Sequence, residues 1–153
     1  MKTFKILSIN ISDKKGEKKI SIPGAVLKEN YGIEGDAHAG NWHRQVSLLA
    51  WEDIEEMIRK GANVKCGDFA ENITTEGIEL AALPIGAILN LGDTVLEVTQ
   101  IGKKCHKGCA IFRQIGDCVM PRKGIFTRVR KGGKINNESN CYYNIGQGLQ
   151  GNL

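Results

Sequence analysis

The sequence predicts a mainly β, barrel-like domain with one or two short helices. Three observations carry that prediction. Short runs of alternating or β-branched apolar residues recur along the chain, turn signals separate them at close intervals, and one stretch alone has a clear helical period. At 153 residues the chain is long enough for one domain with its own core, and it shows no internal repeats. Residues 1–135 read as that domain and residues 136–153 as a flexible tail.

Residues 4–11 form the first strand, with Phe4, Ile6, Leu7, Ile9 and Ile11 as its apolar side chains. Asp13-Lys-Lys-Gly16 turns the chain, and residues 18–22 are the hairpin partner. Pro23-Gly24 ends that strand and residues 25–27 begin another. Residues 31–43 hold three kinds of punctuation at once: glycines, His38 and His43, and the acids Glu34 and Asp36. They have no period and read either as a functional loop or as a turn-rich connection with solvated histidines.

Residues 44–49 are a strand. Residues 50–60 are the helix, with Trp51, Ile54, Met57 and Ile58 on one stripe and Lys60-Gly61 at its end. A polar segment from Cys66 runs into a strand near Ile73, and residues 83–93 form a strand closed by Gly92-Asp93. Residues 94–101 complete a hairpin with it. Beyond, residues 110–115 read as a short helix, 116–124 as a loop with a basic end, and 125–130 as a strand turned by Gly132-Gly133. The Asn- and Gly-rich remainder has no apolar period, hence the predicted tail.

Composition limits the function classes. Hydrophobic residues make up 41% and charged residues 25%, an ordinary globular balance, and the net charge of +4 is mild. The lysines are spread from Lys2 to Lys134, which gives no nucleic-acid stripe but suits an anionic small ligand. The start lacks the apolar core of a secretory signal, and Pro84 and Gly86 interrupt the longest apolar stretch, so neither export nor a membrane span is expected. A cytoplasmic protein is predicted, its five cysteines reduced.

Chemistry concentrates in Val98-Thr-Gln-Ile-Gly-Lys-Lys-Cys-His-Lys-Gly-Cys109. Thiolate is the nucleophile and metal ligand, and neighbouring cations favour it. Lys103, Lys104 and Lys107 flank Cys105 in that way. The pair Cys105 and Cys109 lacks the spacing of a haem or C-x-x-C redox motif, and a zinc site would need Cys66, Cys118 or a histidine to complete it. A single reactive thiolate suits nucleophilic attack, carriage of sulfur as a persulfide or ligation of a soft metal, whereas the plain alternative is an inert surface cysteine. Phosphate-loop, dinucleotide-binding and nucleophile-elbow motifs are absent. Arg122, Lys123, Arg128 and Arg130 form either an anion contact or a solvated basic face.

Several separated segments together resemble one family. These are Gly32-Ile-Glu-Gly-Asp-Ala-His-Ala-Gly40, His43-Arg-Gln-Val46, Phe69-Ala-Glu-Asn-Ile-Thr-Thr75, Leu83-Pro-Ile-Gly86 and Leu96-Glu-Val-Thr-Gln-Ile-Gly-Lys-Lys-Cys-His106. In that order they resemble the MOSC domain, named for the C-terminal part of molybdenum-cofactor sulfurases, in its small stand-alone bacterial form. The resemblance implies a barrel-like fold around one defining cysteine, matched by Cys105. It also implies binding of the molybdenum cofactor (molybdopterin), with Cys105 carrying sulfur or ligating molybdenum. His38, Arg44 and Asn72, with Lys104 and His106 beside the sulfur, are the implied cofactor-binding residues.

Three readings stand, two implied by the resemblance and one from the cysteines alone. The first is cofactor biosynthesis or sulfuration, with sulfur supplied by a separate pyridoxal-phosphate-dependent cysteine desulfurase or another cofactor-biosynthesis enzyme. The second is a molybdenum-dependent reductase of N-hydroxylated compounds, served by an electron-transfer partner. The third is a non-catalytic, zinc-stabilised or cofactor-carrier module. Three departures mark this chain. Ala70 stands where the family often has glycine, so the backbone there is expected to avoid positive φ. Lys104 stands where many members have proline, and the C-terminal segment around Cys141 replaces a more acidic, strand-like ending.

Overall fold

In the computed structural model, which describes residues 2–103 and 119–144, the elements succeed one another as short strands with two helices. They are β1 (Lys2–Ile11), β2 (Ile20–Ile22), β3 (Gly24–Lys28), β4 (Gly32–Ile33), β5 (Val46–Ala50), α1 (Trp51–Arg59) and β6 (Ile73–Glu76). A 3-10 turn (Leu80–Ala82) leads to β7 (Ile88–Leu91), β8 (Thr94–Ile101), α2 (Val119–Lys123), β9 (Ile125–Lys131), β10 (Gly133–Asn136) and β11 (Cys141–Tyr143).

Seven of these strands close a barrel in the order β11-β7-β8-β9-β5-β6-β1, and β1 pairs back to β11. An odd number of strands cannot alternate direction all the way round a ring. One neighbouring pair must therefore run parallel, and it is β5–β6. Parallel neighbours need a crossover rather than a hairpin, and α1 lies in that connection. β2 adds to β1 as its hairpin partner, and β10, β3 and β4 make a small second sheet.

The burial of β5 shows how the layers meet. Val46, Leu48 and Ala50 point into the barrel core with Ile9, Ile73, Leu89, Leu96 and Val129. Leu49, on the opposite face by the two-residue period, joins Ile54, Met57, Phe69, Val119, Met120 and Phe126 in a second core under the helices. Ile54 and Met57 are the fully buried members of the α1 stripe. Trp51 packs at its edge, while Ile58 is 40% exposed, so the apolar stripe is narrower than the sequence period implies.

Two sequence expectations are corrected. Residues 119–123 are helical rather than part of a loop, because Val119 and Met120 have an apolar surface on α1 to cover. Residues 136–144 are not tail: Asn136 ends β10, and Cys141–Tyr143 is the strand that closes the barrel, pairing Leu89–Leu91 on one side and Lys2–Phe4 on the other. The remaining tail residues 145–153, and the helix expected over 110–115, lie outside the described residues. No helix among the described residues is long and apolar enough to cross a membrane.

Candidate functional site at the end of strand β8

The barrel delivers its cysteine-bearing segment through the end of β8. Between Val98 and Gln100 the β8–β9 register slips by one residue, a bulge that leaves Thr99 unpaired in the ladder. The Thr99 hydroxyl, with one proton to donate, lies within hydrogen-bonding reach of the carbonyls of His43 and Phe126, tying the loop before β5 to this strand end. Gln100 extends the tie. Its Oε1 accepts from His43 Nε2 at 2.8 Å and from Arg44 Nε at 3.1 Å, and its Nε2 donates to the Gly102 carbonyl at 2.8 Å. The Arg44 guanidinium also lies 5.0 Å over the Phe126 ring, a cation–π contact.

Gly102 then turns the chain at φ +70°, and a Cβ there would sit 2.4 Å from the Pro121 carbonyl oxygen. Only glycine fits that approach. The Gly102 and Lys103 amides donate to Gly124 and Pro121, so the exit is fixed against α2 and the chain following it. Two residues after Lys103 in the sequence comes Cys105.

Near this exit, with Lys103 close enough to act on His38, is a buried ionic cluster that joins two loops, β1–β2 and β4–β5. The side chains of Lys19 and Asp36 are wholly buried and 2.7 Å apart. Asp36 Oδ1 also accepts from the Ser12 amide, and Oδ2 from the His38 amide at 3.0 Å. Burial alone would raise the Asp36 carboxyl, but the Lys19 hydrogen bond and charge, with those two amides, hold it below its ordinary value. Lys19 Nζ further reaches Ser12 Oγ at 3.0 Å and His38 Nδ1 at 3.0 Å.

Burial pushes the His38 imidazole down to about 4, helped by the charges of Lys19, Lys15 and Lys103, while Asp36 pulls the other way. Trp42 stacks on His38 with ring planes 4° apart and donates its Nε1–H to the His38 carbonyl at 2.8 Å; Lys15 lies 4.6 Å over the indole.

The structure thus brings two of the sequence-predicted residues, His38 and Arg44, to the end of β8. It puts the third elsewhere. Asn72 is wholly buried, its Oδ1 accepting from the Ser47 amide and hydroxyl and its Nδ2 donating to the Asn10 carbonyl, so it braces the barrel wall rather than facing a ligand. Lys104, Cys105 and His106 lie outside the described residues. Lys19 and Gln100 escape sequence reasoning, because a lysine beside a hairpin strand and a glutamine in a β-branched run carry no spacing signal. Asp36 stood inside a quoted motif and could have been found there.

The Phe69–Asn72 motif is scaffold too. Ala70 has φ +63°, which overturns the expectation of a backbone free of positive φ. The turn sends Phe69 into the second core and Glu71 into a buried pocket of donors: the amides of Gly67 and Phe69 and the Thr74 hydroxyl. Burial raises the Glu71 carboxyl, and these hydrogen bonds oppose the rise. Cys66 is half-buried, with its thiol raised chiefly by burial; Cys141 lies in β11 and burial pushes it up to about 11. Neither has the cationic setting of a reactive thiolate. Among the described residues no three acidic, histidine or cysteine side chains gather to hold a metal ion.

Together these features define a small β-barrel domain with a polar, lysine-rich site where β8 hands over to a cysteine segment. The family model of the MOSC domain matches residues 35–143, and the chain belongs to that family. Among solved structures, the YuaD protein of Bacillus subtilis is similar at a TM-score of 0.76 and 17% identity, over 91% of this chain and 94% of that one. YiiM of Geobacillus stearothermophilus is similar at 0.69 and 20% identity, over 92% and 75%. YiiM of Escherichia coli is similar at 0.65 and 18%, over 94% and 70%. At such identities the likeness is one of fold. No curated protein matches the chain in sequence.

Proposed function

We propose that this protein binds the molybdenum cofactor at the end of β8 and that Cys105 supplies a thiolate there, carrying sulfur or ligating molybdenum. One observation carries the reading: in a MOSC-family chain, the loop bearing His38 and Arg44 is tied by Thr99 and Gln100 to the strand that leads into Cys105. The donor set suits the group. A phosphate-bearing pterin needs cations and N–H donors, and Lys15, Lys103, Arg44 and His38 surround this strand end. When bound, the cofactor supplies a metal centre with affinity for soft sulfur ligands, which a thiolate matches. The chain's own residues orient it: the fixed loop positions His38 and Arg44, and Gly102 sets the turn that holds Lys103 against α2. A separate cysteine desulfurase would furnish any sulfur carried.

Expression with the cofactor available, followed by metal and pterin analysis of the wild type and Cys105→Ser, tests the reading. The wild type should retain molybdenum and pterin, and the variant should lose molybdenum while keeping its fold. Stoichiometric zinc in the wild type with unfolding of the variant would overturn it. Persulfide labelling of Cys105 after incubation with a desulfurase would assign sulfur carriage; unlabelled protein that still holds molybdenum would assign ligation.

A further inference from the structure

We infer that Lys19 is a positioning residue that holds His38 as a neutral imidazole with its proton on Nε2, so that the open edge of the ring offers a permanent N–H donor. The inference rests on donor counting. An ammonium has three N–H donors and no acceptor. Lys19 Nζ has three acceptors around it: Asp36 Oδ1 at 2.7 Å, Ser12 Oγ at 3.0 Å and His38 Nδ1 at 3.0 Å. The Ser12 hydroxyl proton is already directed to the Lys14 carbonyl, leaving its oxygen free to accept. Every donor of the buried cation therefore has a partner only if His38 Nδ1 carries a lone pair.

The competing arrangement, an imidazolium whose Nδ1–H donates to Asp36, is geometrically poorer. Asp36 Oδ2 is 3.9 Å from His38 Nδ1 and already accepts the His38 amide at 3.0 Å. It would also leave two cations facing each other with one donor of Lys19 unpaired in a wholly buried position, which is costly. The charged groups around the ring point the same way. Lys19 from the approach to β2, Lys15 from the β1–β2 turn and Lys103 from the end of β8 all oppose a second positive charge, and Asp36 alone favours it.

The consequence is chemical. With Nδ1 occupied by Lys19 and Nε2 protonated, His38 is neither a metal ligand nor a group that takes up a proton near neutral pH. Its open edge, on a side chain 21% exposed, addresses a hydrogen-bond acceptor in a cationic setting. Trp42 stacking and the Trp42 bond to the His38 carbonyl keep that edge in one orientation. This holds whichever ligand the site takes.

The chain has three histidines, so long-range proton–nitrogen correlation of histidine-labelled protein resolves each ring, with His38→Gln assigning the signal. The wild type should show the Nε2–H tautomer of His38, uncharged down to about pH 5. In Lys19→Met, Asp36 is no longer opposed by Lys19, and the ring should protonate well above about 4, with burial, Lys15 and Lys103 still holding it down. That variant leaves a buried carboxylate alone and is open to misfolding. Lys19→Met combined with Asp36→Asn removes both charges, and because Lys19 outweighs Asp36 at the ring, His38 should titrate above the wild type while burial keeps it below its ordinary value. An Nδ1–H tautomer in the wild type, or unchanged titration in the folded double variant, would overturn the inference. A merely structural role for Lys19 predicts lower stability without either spectroscopic change.

Discussion

Ala70 holds a left-handed backbone that glycine adopts without cost and alanine does not, at φ +63°. The turn is retained because what it positions is worth more: Phe69 in the second core and the Glu71 carboxylate among three donors. Ala70→Gly relieves the strain and removes only a half-buried methyl. It should stabilise the protein by about 1 kcal/mol, or about 2–4 °C in Tm for a chain of this size. Urea and thermal unfolding measure this; a lower midpoint would show that the alanine methyl contributes packing that outweighs the strain. At this scale the sequence was partly legible. Glu71 and Asn72 could be quoted as a motif, but their roles could not, because a buried amide bracing two strands and one facing a ligand look identical in sequence.

The loop from Gly35 to Arg44 is held by charge and hydrogen bonding more than by apolar burial, so its stability should follow pH. His38 in the folded protein stays neutral down to about 4, against an ordinary 6.5. Between those values the unfolded chain binds a proton that the folded chain does not, and stability rises with pH. The contribution is complete above 6.5 and is lost as pH falls towards 4. Asp53 and Glu71, whose carboxyls burial raises, act with the opposite sign. The clean measurement is therefore the difference in unfolding free energy between the wild type and His38→Gln. That difference should move against the wild type as pH is lowered from 7 to 4; a constant difference would mean that the ring titrates alike in both states. The β strands behind this loop were legible because period-two alternation records burial on one face, as in residues 94–101. The loop's internal network was not, since Lys19 meets Asp36 and His38 only after β1 and β2 fold back as a hairpin.

Closure of the whole barrel depends on its shortest and latest strand. β11 contributes three residues and pairs with two strands remote from each other in sequence, β1 and β7. Three alternating residues amid asparagine and glycine give no period to read, which is why this segment resembles a tail in the sequence. Its role becomes visible only as non-local pairing. Cys141 and Tyr143 point into the core, and the Tyr143 ring meets Phe4 edge-on with centroids 6.0 Å apart. Without β11, the backbone groups of β1 and β7 lose their ladders, and Phe4, Leu89 and Leu91 lose the cover on one side. A chain ended after residue 144 keeps β11, and one ended after residue 136 does not, so comparing the two isolates this strand from whatever follows. The longer chain should unfold cooperatively. The shorter should lose at least about 3 kcal/mol, the cost typical of removing one buried aromatic side chain, before its lost pairing is counted. Equal unfolding midpoints for the two would mean that the remaining six strands hold the barrel without closure, and that the ring seen here is not what stabilises the site at the end of β8.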